Sequence, residues 1–164
     1  MLNTGIAGLL TAHTFQPWSF EVNNPSMLPF LLDDDLALIR SKSTRTVFKK
    51  GEVVLQEGAI SRSLYLLVSG QVNVVKDVLG EEVVITRLEP GELLGIASLL
   101  NGSPIGATVL ASAESTFELI ATPDLHALLE SIPGLAVRFY RSLGAVLASR
   151  LDAVLQQVAQ PESR

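Results

Sequence analysis

From Thr44 the apolar pattern changes toward a period of two. Thr46 and Phe48, then Val53-Val54-Leu55, flank a turn at Lys49-Lys50-Gly51-Glu52. Leu64–Ser69 and Gln71–Lys76 read as two strands broken at Gly70, where a bend without a side chain is needed. Asp77–Glu81, with Gly80 inside it, reads as a hairpin loop whose return strand carries Val83, Ile85 and Leu88. Ile105–Leu110 and Ser115–Ile120 complete the set. Many short strands with a turn signal in nearly every gap predict a closed β architecture, a barrel or a roll.

The period changes at Thr122-Pro123-Asp124. Thr122 as cap with proline at the first helical position predicts a helix start, and that helix runs to about Ser131. Pro133-Gly134 separates it from a final segment with Leu135, Phe139, Tyr140, Leu143, Val146, Leu147, Leu151, Val154, Leu155 and Val158 at three- and four-residue steps, one long amphipathic helix. Its apolar face is wider than one coiled-coil stripe, and small residues are set into it, Gly144 with Ala148 and Ala145 with Ser149. We expect it to pack on its own roll and on a second copy, with Tyr140, Leu143, Gly144, Leu147, Ala148 and Leu151 as the interface. Ahead of the strands, Asp33-Asp34-Asp35 followed by Leu36, Leu38 and Ile39 predicts a short helix with its acids in the first turn, where the helix dipole favours them. The fold expected is mainly β with flanking helices, a double-stranded, jelly-roll-like β-roll over about 44–121 followed by a short and a long helix over about 122–158. Residues 31–164 would form that domain. Residues 1–30 would form an arm whose Phe15, Trp18 and Phe20 need a surface to pack on, in this domain or in a partner protein.

Between the strands lies Gly91–Leu110, a Pro-Gly turn, Gly95, a short apolar run, the turn Asn101-Gly102-Ser103-Pro104 and a β-prone stretch. A short helix that follows a glycine presents unpaired N–H groups and could hold an anion. Taken alone, such a stretch is also what a turn looks like. Other chemistry is thinly represented. The 164 residues carry no cysteine and two histidines, His13 and His126, so thiol chemistry, a Ser–His–Asp triad and a multi-histidine metal site are not expected. Glu81 and Glu82 face opposite sides of a strand and suit solvent. No phosphate-loop or dinucleotide motif is present, and we expect no enzyme, no cofactor and no metal. A formal net charge of −5 argues against a nucleic-acid face. Met1–Leu10 is apolar but lacks a positive flank and is too short to span a bilayer. A cytoplasmic, membrane-free location is the expectation.

Gly51, Gly58, Gly70, Gly91 and Gly95, with Ser63-Leu64-Tyr65, Ser69-Gly70 and Ala107-Thr108-Val109, make residues from about Thr44 to Ala153 resemble the cyclic nucleotide-binding domain of catabolite-activator-type regulators, protein kinase A regulatory subunits and gated channels. The resemblance implies the β-roll and a phosphate-binding cassette at Gly95, Ile96, Ala97, Ser98, Ile105, Gly106, Ala107 and Thr108. It also implies a glutamate directly after the cassette glycine, bonding the ribose, and an arginine across the loop, pairing with the cyclic phosphate. Here those positions are Ile96 and Ile105, and Glu92 is no substitute. Backbone N–H groups of 95–98 and the Ser98 hydroxyl are what remains, so weak nucleotide binding or none is expected, with the two isoleucines closing the pocket. The function expected is a non-catalytic regulatory or sensor module acting through dimerisation and protein partners. The alternative is a domain that still binds cyclic AMP, cyclic GMP or another small ligand through replaced contacts. A helix-turn-helix follows the long helix in the resembling regulators, whereas six residues follow Val158 here, so no nucleic-acid partner is expected.

Overall fold

A computed structural model describes residues 28–159, and the expectations for His13, Phe15, Trp18 and Phe20 lie outside them. The elements are α1 (Asp33–Ser41), β1 (Thr44–Phe48), β2 (Val53–Leu55), β3 (Ser63–Ser69), β4 (Val72–Val78), β5 (Glu81–Leu88), β6 (Leu93–Leu94), α2 (Ile96–Asn101), β7 (Thr108–Ala111), β8 (Ser115–Ala121), α3 (Thr122–Ser131) and α4 (Leu135–Ala159). The strands form two four-stranded sheets, ordered β1-β8-β3-β6 and β2-β7-β4-β5, and every pairing is antiparallel. This is the β-roll with flanking helices that the period-two pattern indicates.

Alternation along the first sheet builds two cores. Tyr65 and Leu67 on β3, Leu94 on β6 and Phe117 and Leu119 on β8 face inward, where they meet Val54, Leu55, Val72 and Val109 of the other sheet. Phe117 is fully buried, and both Phe48 and Tyr65 set their rings edge-on to it, at centroid distances of 5.6 and 6.1 Å. The intervening residues, Leu64, Leu66, Leu93 and Ile120, face outward and pack beneath the helices with Leu125, Leu129, Leu135, Phe139 and Leu143. A register slip by one residue on β3 or β8 would exchange these two sets, so each face pins the other. Among the described residues no helix covers the outer face of the second sheet, and Val83, Val84 and Ile85 on its edge strand β5 are exposed.

The chain is fastened to α4 from its first described residues. Leu28 and Leu31 belong to the helical core, the Phe30 N–H donates to the Ser142 hydroxyl at 3.0 Å, and the Arg141 guanidinium lies 3.8 Å above the Phe30 ring. The three aspartates of α1 are not equivalent. Asp35 is buried, accepts the Leu32 N–H at 2.9 Å, and takes a bidentate pair of 2.7 Å bonds from Arg138 on α4. Those guanidinium bonds hold its carboxyl below the ordinary aspartate range although burial opposes them.

Three local expectations are revised. The β4–β5 connection narrows from the expected Asp77–Glu81 loop to Leu79 and Gly80, both with positive φ, the geometry of a tight two-residue hairpin. Thr122 is already helical, with Ala121 as the cap residue, and its N–H donates to the Arg62 carbonyl at 2.9 Å. The strand expected over Ile105–Leu110 begins only at Thr108, since the backbone of Ile105 is bonded elsewhere.

Candidate functional site

The cassette is assembled where β6 ends. Gly95, at φ +87°, turns the chain from β6 into α2, and a side chain there would stand 2.7 Å from the Ser63 carbonyl oxygen and 3.2 Å from Ser61 Oγ. Only glycine fits both the conformation and the close approach. The short helix α2 closes its first turn with the Leu99 N–H on the Gly95 carbonyl (3.1 Å) and ends as the Gly102 N–H reaches the Ser98 carbonyl (3.0 Å). The Ser98 hydroxyl is buried and spent internally. It accepts the Ser61 N–H at 3.2 Å and donates to the Ser103 carbonyl at 2.7 Å, so it closes the loop instead of offering a donor.

The far side of the loop is held by the segment 56–61. Ile105 donates its N–H to the Ala59 carbonyl at 2.7 Å and accepts the Gly58 N–H at 2.8 Å. Thr108 Oγ1 accepts both the Glu57 N–H (3.1 Å) and Gln56 Nε2 (3.2 Å). Lys76 of β4 donates from Nζ to the Gly106 carbonyl at 3.0 Å and pairs with Glu57 at 3.1 Å. Gly106 and Ala97 are exposed and Ala107 is half-buried. The eight expected residues therefore share one loop region, but not one lining. Ile96 is buried in the helical core with Leu93, Leu125 and Leu135, whereas Ile105 packs on the core between the sheets. The two isoleucines do not together close a pocket, because α2 turns its first side chain outward from the roll.

Sequence reasoning missed Ser61, Glu57 and Lys76. The first two sit in a stretch that marked the resemblance without being assigned a role. Lys76 was visible only as the polar end of an apolar strand, and its partner Gly106 is 30 residues away. A second missed connection links the cassette to α4. Glu92, which precedes β6, is buried and accepts the Glu89 N–H at 2.8 Å, and its burial pushes the carboxyl above the ordinary glutamate range. Beside it, Arg150 of α4 donates from Nη2 to the Leu93 carbonyl at 2.7 Å, so the strand leading into Gly95 is tied directly to the helix.

Among the described residues no group of three or more His, Cys, Asp and Glu is placed to hold a metal, and no helix is long and apolar enough to cross a membrane. Of the six expected interface residues on α4, Tyr140, Gly144, Leu147, Ala148 and Leu151 are exposed. Leu143 is a correction. It is buried in the chain's own helical core, because its turn of α4 faces the roll.

Comparison with known proteins agrees with this geometry. The profile of the cyclic nucleotide-binding domain matches residues 45–131, just over half of the chain. The chain belongs to that family. A cyclic AMP receptor protein of Thermus thermophilus is 30% identical over 138 residues, which are 82% of this chain and 62% of that protein. The crystal structure of the Thermus thermophilus catabolite activator protein superposes with a TM-score of 0.67 at 28% identity, over 81% of this chain and 61% of that one. The N-terminal domain of a transcriptional regulator from Streptomyces coelicolor matches with a TM-score of 0.68 at 26% identity, over 81% of this chain and 93% of that domain. A human patatin-like phospholipase domain-containing protein is 23% identical over 85% of this chain, but only 10% of that protein is covered. The chain thus spans less than two thirds of the length of these full-length relatives.

Proposed function

We propose that the chain is a non-catalytic regulatory module whose cassette no longer grips a cyclic nucleotide and which acts as a pair of copies joined along α4. One observation carries the first half. The positions for the ribose and phosphate side chains hold isoleucines packed into two separate cores. Each missing charged hydrogen bond is worth about 1.5–3 kcal/mol, and the Ser98 hydroxyl that remained in prospect is committed inside the loop. The second half is supported by the exposed residues of α4. Tyr140, Gly144, Leu147, Leu151, Val154 and Val158 follow steps of four, three, four, three and four and are all exposed. Such a seam pairs with a like seam on another helix. This reading includes a cytoplasmic location and signalling through protein partners, in keeping with a relative that is a receptor protein.

Calorimetric titration of cyclic AMP and cyclic GMP into the unmodified chain tests the first half. No saturable heat at micromolar concentrations is expected, and binding in that range would overturn it. Lys76 favours one alternative, a retained anionic ligand held by a cation from β4 instead of the lost arginine. On that alternative the titration shows binding, and Lys76→Ala abolishes it. Light scattering tests the second half, with a dimeric mass expected and a monomeric mass at tens of micromolar ruling it out.

A further inference from the structure

Between α1, the outer face of the first sheet and α4 lies a small apolar cleft, distinct from the cassette. Leu28, Leu36, Ile39, Leu64, Leu66 and Phe139 line it, and Arg40 and Glu118 stand with them. We propose that the cleft is the docking site for the chain's own segment 1–27, with the stretch around Trp18 as its anchor.

Three observations select this occupant. Leu28 is a wall of the cleft, and the segment 1–27 joins the chain at that residue. The Phe30 N–H on Ser142 and the Arg141–Phe30 stack hold that junction against α4. The segment's composition needs cover. Residues 1–27 carry one formally charged side chain, Glu21, together with Phe15, Trp18 and Phe20, and a stretch so apolar gains from burial what a charged linker would not. The cleft holds about 60 Å³ of free volume, well below the roughly 300–1,000 Å³ of sites that take small-molecule ligands. Ten residues separate Trp18 from Leu28, and an extended chain of that length reaches roughly 33–36 Å, so a ring at position 18 reaches the cleft with slack to spare. At the mouth Glu118 is shared between Arg40 at 3.7 Å and Arg45 at 3.2 Å.

The chain contains a single tryptophan and no cysteine, so one fluorescence experiment reads the docking directly. In the unmodified chain, Trp18 emission should be blue-shifted and several-fold less quenched by acrylamide than in urea. A nitroxide attached at Arg40→Cys, on the rim of the cleft, should quench Trp18 several-fold more than one at Leu79→Cys on the fully exposed tip of the β4–β5 hairpin. Leu36→Asp, checked as folded by far-ultraviolet circular dichroism, should return the emission toward its denatured value; if that variant unfolds, the two nitroxide variants decide alone. Emission equal to that of the denatured chain overturns the proposal. So does equal quenching from the two nitroxide positions, which would place Trp18 elsewhere. Quenching from position 40 that fades on dilution would show docking into a second copy and overturn docking within the chain.

Discussion

The two halves of α4 carry the same apolar periodicity and meet opposite surroundings. In the first half Leu135, Phe139, Ser142 and Leu143 are buried against the roll and α3. In the second half Leu151, Val154, Leu155 and Val158 are more than half exposed. Each half also carries an arginine that reaches back to the body of the domain. Arg138 makes two 2.7 Å bonds to the Asp35 carboxylate and depresses its affinity for protons. Arg150 gives its 2.7 Å bond to a backbone carbonyl instead, and the nearby Glu92 carboxyl is raised by burial. The difference teaches that periodicity marks which helical face is apolar but not what covers it. One half of the face is satisfied within the chain, and the other is left exposed.

The largest effect expected is in the covered half. Leu143→Ala should lower stability by about 2–5 kcal/mol, the range for a leucine removed from a closed core, measured by urea denaturation. Leu143→Asp should not fold. A loss below about 0.5 kcal/mol for the alanine variant would show that this part of α4 is not packed as described. The same change in the exposed half should act on assembly instead. Leu151→Asp should keep the far-ultraviolet spectrum and the monomer fold while light scattering reports a monomeric mass. Any loss of melting temperature should grow with protein concentration in the comparison with the unmodified chain, because only a dimer gains stability by mass action. An unchanged dimeric mass would place the interface elsewhere.

Arg150 joins the two halves, and its removal should be milder. Arg150→Met keeps the length and apolar stem, loses the bond to Leu93, and leaves the Glu92 carboxyl without the cation that opposes its upward displacement. The melting temperature should fall by less than in Leu143→Ala, and amide exchange at Leu93 to Gly95 should quicken. Unchanged exchange there would mean that the cassette strand is held without the helix.

Much of this contrast was legible in the sequence and part of it was not. Most of the strands, the two-residue alternation that builds both cores, and the approximate extents of α3 and α4 follow from local patterns that the tertiary structure reinforces. Leu143 and Leu147 are one helical turn apart and look alike in sequence. Only the point at which the helix leaves the roll decides that one is core and the other surface. Asp35 looked like one of three equal acids because its partner lies 103 residues away, and no local rule links them. Ile96 shows the same limit at the cassette. Its identity was enough to raise the expectation of a lost ribose contact, but the direction in which α2 points it depends on the turn at Gly95 and on the helices stacked above.

The smallest effects are in pH dependence, and they should have opposite signs in the two halves. Asp35 has a lowered pKa in the folded chain, so its contribution to stability is complete above the unfolded value of about 3.9 and is lost as pH falls through the lower folded value. Asp35→Asn should therefore cost most at neutral pH, and its deficit against the unmodified chain should shrink as the solution is acidified. Glu92 has a raised pKa. The folded state then binds a proton more tightly than the unfolded state, so stability declines as pH rises from about 4.3 through the folded value. Glu92→Gln keeps an oxygen to accept the Glu89 N–H and removes the titration. Relative to the unmodified chain its melting temperature should improve as pH rises across that window and level off above it. Melting curves for the two variants and the unmodified chain, taken from pH 3 to 8 at constant ionic strength, give both differences. Parallel profiles for Glu92→Gln would mean that burial does not penalise this carboxylate. A deficit for Asp35→Asn that grew on acidification would contradict the pairing of Asp35 with Arg138, and with it the fastening of the first half of α4 to α1.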